Sequence, residues 1–323
     1  MKALYKTSYS IYKENQKKPL KFVLLSDLHF SKKIKSYVLQ AVLDFTAKEK
    51  PDYILLLGDL IHSVDELDNE AQKLHFKSFI ERLAFDAPVI SILGNHDYYR
   101  HDEYKRGRWR VYGPESLVET LQSIENVTVL QNSNYTDSNV NLFGFLPDSE
   151  YYCYDSAHGS KATIFNPQQE DKSIFIHGLN KIPEKTLHNL NKNKLNLFLS
   201  HSPVYLNDKD VKPFVKDFDA LISGHMHNGV VPPALNDLWM SDRGIIGPGQ
   251  NLLAHRTRNA HMTYKDPNII LGAIQSIQPG LNLMGILSHA FPIFVATLEV
   301  SDNEHFKHCP RKKREYLSID KQR

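Results

Sequence analysis

The feature that most constrains this chain is a short, largely apolar run followed at once by polar residues, which occurs five times. The runs are residues 22–26, 53–57, 89–93, 196–200 and 218–223, and Asp, His or Gly comes directly after each. Runs this short, without clean polar alternation, are typical of strands covered on both faces. Because sites in open α/β sheets form just outside the carboxyl ends of the strands, the five polar groups are expected to converge.

Helical periodicity separates these runs. Apolar residues recur at helical spacing in residues 35–48, and residues 66–85 and 115–124 are further helix candidates. Two more apolar runs, residues 141–145 and 173–177, are interpreted as strands. Strands that alternate with helices predict an α/β fold with mainly parallel pairing in the first half of the chain. No linker-like segment divides the chain, so a single domain over residues 1–323 is expected.

The charge balance argues against a general affinity for nucleic acid. The 323 residues include 39 Lys and Arg against 37 Asp and Glu, a formal net charge of +2. A nuclease is expected to present a broad cationic surface to the phosphate backbone, so this balance disfavours one. Positive charge is concentrated at residues 311–314. We expect residues 311–323 to form a solvated basic tail, with contact to an anion or a membrane surface as the alternative.

Cysteine usage and hydropathy favour a cytoplasmic protein without a membrane span. The two cysteines, Cys153 and Cys309, have the spacing of neither a metal site nor a disulfide framework. Residues 1–20 lack the apolar core of a signal peptide. The apolar segment at residues 269–300 is interrupted by Gly, Pro, Asn and His, so it falls short of the roughly 18 apolar residues of a span. We expect buried strands and a helix there, with a peripheral membrane or lipid-binding surface as the alternative.

The polar groups have the composition of a metal centre. Asp27 and His29 are two residues apart, as are His225 and His227, and side chains at that spacing point to the same side of an extended chain. Carboxylate, imidazole and amide oxygen without thiolate suit Mn, Fe or Zn in a catalytic site. The candidate ligands are Asp27, His29, Asp59, Asn95, His201, His225 and His227. Because these exceed the needs of one ion, we expect two divalent cations that share a carboxylate, roughly 3.5–4 Å apart.

Glycine precedes three of these candidates, at Gly58, Gly94 and Gly224. A residue without Cβ tolerates backbone conformations that other residues avoid. We expect each glycine to let the backbone turn sharply, so that the side chain after it faces inward.

In their order along the chain, these motifs resemble those of the calcineurin-like metallophosphoesterase superfamily. The matching segments are Ser26-Asp-Leu-His29, Leu57-Gly-Asp-Leu60, Leu93-Gly-Asn-His-Asp97, Ser200-His-Ser202 and Ser223-Gly-His-Met-His227. The resemblance implies a four-layer αββα sandwich with two central mixed β-sheets. It also implies a metal-dependent phosphoric ester hydrolase, either a phosphatase or a phosphodiesterase.

The resemblance assigns roles by position. One ion would be bound by Asp27, His29, Asp59 and His227, and the other by Asp59, Asn95, His201 and His225, with Asp59 bridging. His96 would contact the scissile phosphate, and Asp97 would orient His96. The implied reaction is attack on phosphorus by a hydroxide held between the two cations. General-acid assistance of the kind expected from His96 is worth roughly 10²–10⁴-fold in rate.

The chain departs from the superfamily pattern at two places. His62 stands where the family often has Asp, and Met226 stands where it often has Thr. The insert at residues 100–114 is basic and aromatic and is a candidate substrate-facing element. Within it, Arg100 is a candidate phosphate contact, and an ordinary surface cation is the alternative.

Several functions fit these motifs. The substrate is expected to be a phosphorylated small molecule or a lipid-linked phosphate. A nucleotide-sugar or lipid-linked pyrophosphohydrolase at a membrane surface would use the apolar residues 269–300. A nuclease and an inactive metal-binding scaffold are two further hypotheses. The presence of His96 and Asp97 speaks against the scaffold, because neither is needed for metal binding alone.

Overall fold

A computed structural model describes most of the first two thirds of the chain and the strands near its end. The described residues are 3–16, 18–101, 109–111, 113–148, 151, 171–188, 190–202, 205–206, 208–225, 269–271, 293–303 and 311–318.

Fourteen strands lie in the described residues. They are β1 (Ala3–Tyr12), β2 (Leu20–Leu25), β3 (Tyr53–Leu57), β4 (Val89–Ile92), β5 (Tyr99–His101), β6 (Trp109–Val111), β7 (Val127–Val129), β8 (Ser133–Thr136), β9 (Val140–Phe145), β10 (Leu195–Ser200), β11 (Ala220–Ile222), β12 (Ile269–Leu271), β13 (Ile293–Ser301) and β14 (Arg311–Ser318). The predicted strands at residues 22–26, 53–57, 89–93, 141–145, 196–200 and 218–223 are confirmed, with small shifts at their ends.

Six α-helices lie in the same part of the chain. They are α1 (Ser36–Glu49), α2 (Glu70–Asp86), α3 (Glu115–Gln122), α4 (Lys172–Asn180), α5 (Glu184–Leu187) and α6 (Lys212–Val215), with 3₁₀ turns at Val64–Leu67 and Asn95–Tyr98. The first three confirm the helices predicted from periodicity. The Asn69 side chain caps α2 by accepting a 3.0 Å hydrogen bond from the backbone N–H of Gln72. None of these described helices combines the length and the apolar character needed to cross a bilayer.

The strands form two main sheets and one short pair. The first sheet has seven strands in the order β14-β1-β13-β2-β3-β4-β7, and the second has five in the order β12-β11-β10-β9-β8. In the first sheet β2, β3, β4 and β7 are parallel, whereas β13 is antiparallel to β2. In the second sheet β9 to β12 are parallel and β8 is antiparallel to β9. Both sheets are therefore mixed, and β5 and β6 form a separate antiparallel hairpin.

Three apolar cores separate four layers. On the outer face of the first sheet, strand residues such as Val23 pack with the buried faces of α1, α2 and α3. Alternate strand residues such as Phe22 face the other way, into a core between the two sheets that includes Leu197 of β10. A third core covers the outer face of the second sheet, where Phe198 packs in the same cluster as Phe175 of α4. The fold is thus a four-layer αββα sandwich, as the resemblance implied.

The strand predicted at residues 173–177 is wrong, because those residues lie in α4. A five-residue apolar run does not distinguish a strand from a buried helix. The helical conformation is favoured because Asp171 caps it. Oδ1 of Asp171 accepts a 2.6 Å hydrogen bond from the backbone N–H of Ser173. Phe175 and Leu179, four residues apart, are then both buried on its inner face.

The basic tail predicted at residues 311–323 is wrong over residues 311–318, which form the edge strand β14. Its partner is β1, with Ser318 opposite Ala3 and Arg311 opposite Ser10. A charge run and an edge strand are compatible, because an edge strand is exposed along one side and basic residues there discourage pairing with other chains. Residues 319–323 lie outside the described part.

The apolar segment at residues 269–300 is described only at its ends. Residues 269–271 form β12, and residues 293–300 belong to β13. The expected strands are present at both ends, and the helix expected between them falls outside the described residues.

Candidate metal centre

The polar residues that follow five strands meet at one end of the two sheets. Asp27 and Asp59 follow β2 and β3, Asn95 follows β4, and His201 and His225 follow β10 and β11. One set of candidate ligand atoms, from Asp27, His29 and Asp59, lies within 4.8 Å of one another. A second set, from Asp59, His201 and His225, meets the same limit. The expected convergence of strand ends is therefore found for Asp27, His29, Asp59, His201 and His225.

Asp59 belongs to both sets because its two carboxylate oxygens face different partners. Its Oδ2 lies 3.6 Å from Nε2 of His29. Its Oδ1 lies 3.4 Å from Nε2 of His201 and accepts a 2.8 Å hydrogen bond from the backbone N–H of His96. The carboxylate is buried. This geometry suits a carboxylate that bridges two ions.

Hydrogen bonds across the sheets hold the second-sheet ligands against the first sheet. His201 Nδ1 lies 2.6 Å from the carbonyl oxygen of Leu57, at the end of β3. Because a carbonyl only accepts, Nδ1 carries a proton and Nε2 is the nitrogen that faces Asp59. The backbone N–H of His225 donates to Oδ2 of Asp27 over 3.2 Å. Both histidines are thus oriented by atoms of the opposite sheet.

The buried oxygen of Asn95 fits a metal ligand. The side chain is buried, and within the described chain its Oδ1 has no hydrogen-bond partner. An unsatisfied buried polar atom costs free energy unless another group binds it. An amide oxygen can coordinate a divalent cation, so Asn95 fits the ligand set predicted from the sequence.

Gly58 confirms the expected turn before Asp59, since its φ is +89°. A Cβ at this position would lie 2.5 Å from His201 Nδ1 and 2.7 Å from the backbone nitrogen of Gly94. Gly94 has an extended backbone, with φ −110° and ψ −177°, so no unusual turn is needed there. Glycine is needed at position 94 because the backbone there lies close to Asp59, and a Cβ would collide with Oδ1 of that residue.

Four of the candidate ligands have backbone conformations that side chains usually avoid. The φ angles are +53° at Asp27, +43° at His29, +53° at Asp59 and +71° at His225. Non-glycine residues in the left-handed region are uncommon, and Asp and His are among those that tolerate it. Such residues gather at functional sites, where the surrounding structure maintains the strain. The sequence motifs gave no indication of this feature.

The electrostatics of the centre are those of a cation-binding site. Burial by itself raises the pKa of Asp59, but the imidazoles of His201, His96 and His29 hold that pKa well below its usual value. Burial by itself lowers the pKa of His201, but the charge of Asp59 outweighs it and raises the pKa to about 10. Positive charge beside Asp59 is therefore strongly favoured, and metal ions compete with protons for such positions.

Asp97 has partners other than the one the resemblance implied. Its carboxylate accepts hydrogen bonds from the backbone N–H groups of Leu60, Ile61 and Gly94, at 2.8, 3.2 and 2.8 Å. Nδ1 of His96 lies 2.7 Å from the carbonyl oxygen of His62. In this structure Asp97 thus joins the loops after β3 and β4, and the His62 carbonyl takes the orienting position expected for Asp97. Burial and the nearby charge of Asp59 raise the pKa of Asp97 to about 7.

Arg100 is held by two carboxylates. Its Nε lies 3.1 Å from Oδ1 of Asp65, and its Nη2 lies 2.9 Å from the carboxylate of Asp68. To bind a phosphate, the guanidinium would have to exchange these partners, so the phosphate role of Arg100 stays a prediction. The rest of the insert is described only in part, as the β5–β6 hairpin. His227 and Met226 lie outside the described residues.

His62 belongs to the centre, although no sequence motif predicts it there. Ligand atoms of His29, His62 and His96 lie within 4.8 Å of one another. The sequence marked His62 only as a departure from the family pattern. Its position three residues after Asp59 was the one signal available, because nothing in its neighbours indicates where the ring points.

Comparison with known proteins agrees with the geometry. The chain is 26% identical over 221 residues to an uncharacterized metallophosphoesterase of Campylobacter jejuni, covering 68% of this chain and 47% of that protein. It is 31% identical over 126 residues to a phosphodiesterase of Escherichia coli, YaeI, covering 38% of this chain and 40% of that protein. A zebrafish transmembrane protein with a metallophosphoesterase domain is 23% identical over 228 residues, 66% of this chain and 41% of that protein. The chain thus spans less than half the length of each of these relatives.

Among solved structures, a dimetal phosphatase from Danio rerio aligns with a TM-score of 0.39 and 13% identity, over 65% of this chain and 82% of that one. The sequence also matches the calcineurin-like phosphoesterase family over residues 20–229, well over half of its length. This match contains every candidate ligand from Asp27 to His227. The chain therefore belongs to the calcineurin-like phosphoesterase family.

Proposed function

We propose that this protein is a two-metal-dependent phosphoesterase that hydrolyses a phosphate ester or anhydride. The observation that carries the proposal is the position of Asp59, whose Oδ2 faces His29 and whose Oδ1 faces His201. One carboxylate thereby joins two sets of buried ligand atoms. A site built for a single ion has no need of this arrangement.

The proposed ligand sets follow the sequence prediction. The first ion is assigned to Asp27, His29, Asp59 and His227, and the second to Asp59, Asn95, His201 and His225. Carboxylate, imidazole and amide oxygen together suit Mn, Fe or Zn. When bound, two such cations supply Lewis-acid stabilisation of phosphoryl charge and lower the pKa of a bound water.

His96 is proposed to assist the reaction from beside the ions. Because its Nδ1 lies against the His62 carbonyl, Nδ1 carries a proton, and Nε2 is the nitrogen assigned to the substrate. In the imidazolium form, which is protonated on both nitrogens, Nε2 would donate its proton to the leaving oxygen or a hydrogen bond to the phosphoryl group. Asp97 would keep His96 in position indirectly. Its carboxylate accepts hydrogen bonds from the backbone N–H groups of Gly94 and Leu60, and so links the loop that carries His96 to the loop after β3.

We further propose that the reaction takes place in the cytoplasm, on a phosphorylated small molecule or a lipid-linked phosphate. The support for this compartment is the cysteine usage of the chain. Fractionation of cells that express the protein tests it, and recovery from an oxidising compartment would contradict it.

A metal-reconstituted activity screen tests the proposed function. Protein loaded with Mn, Fe or Zn is assayed on phosphate monoesters, phosphodiesters, cyclic nucleotides and nucleotide-sugar diphosphates. The phosphodiester arm is motivated by the Escherichia coli relative that is named a phosphodiesterase. We expect turnover of at least one class, and its loss on removal of divalent ions by a chelator.

Two substitutions make the screen specific to this site. Asp59→Asn weakens the charge that the two ligand sets share, and His96→Ala removes the assisting imidazole. Both are expected to lower kcat by at least about 10²-fold while the chain stays folded. Asp86→Asn and His177→Ala are matched controls, because Asp86 and His177 are exposed residues of α2 and α4. Full activity in either site variant would refute the mechanism.

A further inference from the structure

His62 is fixed in the backbone between two site residues. Its N–H donates a 2.9 Å hydrogen bond to the carbonyl oxygen of Phe30, which directly follows His29. Its own carbonyl oxygen lies 2.7 Å from Nδ1 of His96. The side chain is half-buried. The backbone of His62 is therefore held by the same loops that place His29 and His96.

The imidazole of His62 extends the centre beyond the two proposed ion positions. Its ring stacks on that of His96, with centroids 5.3 Å apart and an interplanar angle of 29°. The His29 ring approaches it edge-on, with centroids 5.9 Å apart. Nitrogens of the three rings lie within 4.8 Å of one another. His62 is absent from the set that contains Asp59, His201 and His225, so this cluster occupies one side of the centre.

The net charge of the metal centre with two bound cations favours an anion over a further cation beside the rings of His29, His62 and His96. Asp27 and Asp59 contribute two negative charges, and two divalent cations exceed that charge. A third divalent cation beside them would be repelled, whereas a phosphate anion would be attracted. Neutral imidazole has one N–H to donate, so His62 needs no added proton to bind a phosphate oxygen.

We propose that His62 is a phosphate-binding residue, whose imidazole N–H donates to an oxygen of the phosphoryl group beside His96. The proposal rests on the function proposed above. It gives this chain a phosphate donor at the position where the family pattern often has a carboxylate. A hydrogen bond to a charged oxygen typically improves binding by about tenfold or more.

Phosphate affinity tests this role without using turnover. Inorganic phosphate is titrated by calorimetry into the full chain loaded with Mn²⁺, and the metal content is measured in the same samples. We expect His62→Ala and His62→Leu to weaken phosphate binding by about tenfold with unchanged metal content. Both variants keep the His62 carbonyl, so the orientation of His96 is retained. His62→Gln, which still has an N–H donor, is expected to bind phosphate more tightly than His62→Leu.

The control is His177→Ala, which removes an exposed histidine of α4 and is expected to bind phosphate as the wild type does. Phosphate affinity within twofold of the wild type in either folded non-donating variant would overturn the proposal. So would a bound ion that is present in the wild type and lost on substitution, since His62 would then be a metal ligand. Equal affinity in the Gln and Leu variants would also count against N–H donation.

The two proposals fail in different ways. A metal-loaded wild type that binds phosphate but hydrolyses no ester or anhydride would defeat the proposed function and leave the His62 contact intact. An active wild type whose phosphate affinity is insensitive to His62 would defeat only the contact.

Discussion

Several ligand residues of the metal centre have backbone conformations that cost free energy. Asp27, His29 and Asp59 all have φ between +43° and +53°. Each left-handed residue costs on the order of 1–2 kcal/mol relative to a relaxed backbone. The chain recovers this cost through hydrogen bonds between the loops, such as those from Asp27 N–H to Gly58 O and from His29 N–H to Asp59 O, at 3.0 and 2.9 Å. Hydrogen bonds between the loops thus hold the backbone of the ligand residues in place.

Gly58→Ala is expected to damage both folding and metal binding. Alanine at φ +89° is strained, and its Cβ would lie 2.5 Å from Nδ1 of His201, so the imidazole must move. We expect a loss of about 2 kcal/mol or more in the free energy of unfolding, with weaker Mn²⁺ binding. Urea denaturation and calorimetric titration of Mn²⁺ measure the two effects.

Gly113→Ala is the control for backbone strain alone. Gly113 has φ +120°, and its nearest neighbours are atoms of the flexible Glu115 side chain. This variant is expected to lose stability but to keep its affinity for Mn²⁺. Equal Mn²⁺ affinity in both glycine variants would show that the close approach of Gly58 to His201 has no functional consequence.

Most residues of the metal centre could be predicted from the sequence, whereas their hydrogen-bond partners could not. Asp27, His29, Asp59, His201 and His225 follow recognisable strand signals, so their convergence could be predicted from chain order. The hydrogen bonds of Asp97 could not be predicted, because they go to backbone groups of two loops whose path depends on packing. The position of the His62 ring could not be predicted for the same reason, because it depends on how the loops pack.

At the scale of elements, the ends of several strands could be predicted from short runs bounded by Gly or Asp. β3 and β4 fit that description and were found close to their predicted positions. The run at residues 173–177 is an exception: Gly178 follows it directly, yet it lies in α4, because a short apolar run suits a helix equally well until its cap at Asp171 is considered. β14 was missed for a different reason, since pairing with β1 depends on residues about 300 positions away in the sequence.

The hairpin of β8 and β9 gives a pH-dependent prediction. Asp137, in the turn, accepts hydrogen bonds from the Tyr53 hydroxyl at 2.5 Å and from the backbone N–H groups of Asn139 and Val140 at 2.7 and 2.9 Å. Burial alone would raise the pKa of Asp137, but these donors outweigh it and lower the pKa. A lowered pKa in the folded state stabilises the fold above the unfolded pKa of about 4, and this stabilisation is lost as the pH falls through the folded value.

Asp137→Asn should therefore reduce stability at pH 7 and become nearly neutral in acid. The measurement is urea denaturation of both proteins from pH 7 to pH 3. The difference in unfolding free energy is expected to be constant above about pH 5 and to shrink below about pH 4. The exposed Asp86→Asn variant controls for general charge effects. A difference that stays constant to pH 3 would contradict the assignment.

At the scale of the whole molecule, the two sheets are joined at both ends of their shared core. At the metal-centre end, His201 and His225 reach across to Leu57 and Asp27. At the opposite end, Lys13 after β1 lies 2.8 Å from both carboxylate oxygens of Asp219, which precedes β11. Asp219 also accepts a 2.8 Å hydrogen bond from the backbone N–H of Asn196.

A double-mutant cycle on Lys13 and Asp219 measures that second connection. Their side chains are only 11% and 24% exposed, whereas those of the pair Lys181 and Asp148 are 55% and 37% exposed. We expect a coupling energy of about 1–2 kcal/mol for the first pair and well under 1 kcal/mol for the second. Equal coupling would show that the Lys13 pair does not hold the sheets together.

The proposed reaction depends on two ions that share Asp59. Anomalous scattering from crystals of the Mn²⁺-loaded protein tests this most directly. We predict two peaks roughly 3.5–4 Å apart, one on each side of the Asp59 carboxylate, and the loss of at least one peak in Asp59→Asn. A single peak in the wild type, or two peaks that persist unchanged in Asp59→Asn, would contradict it.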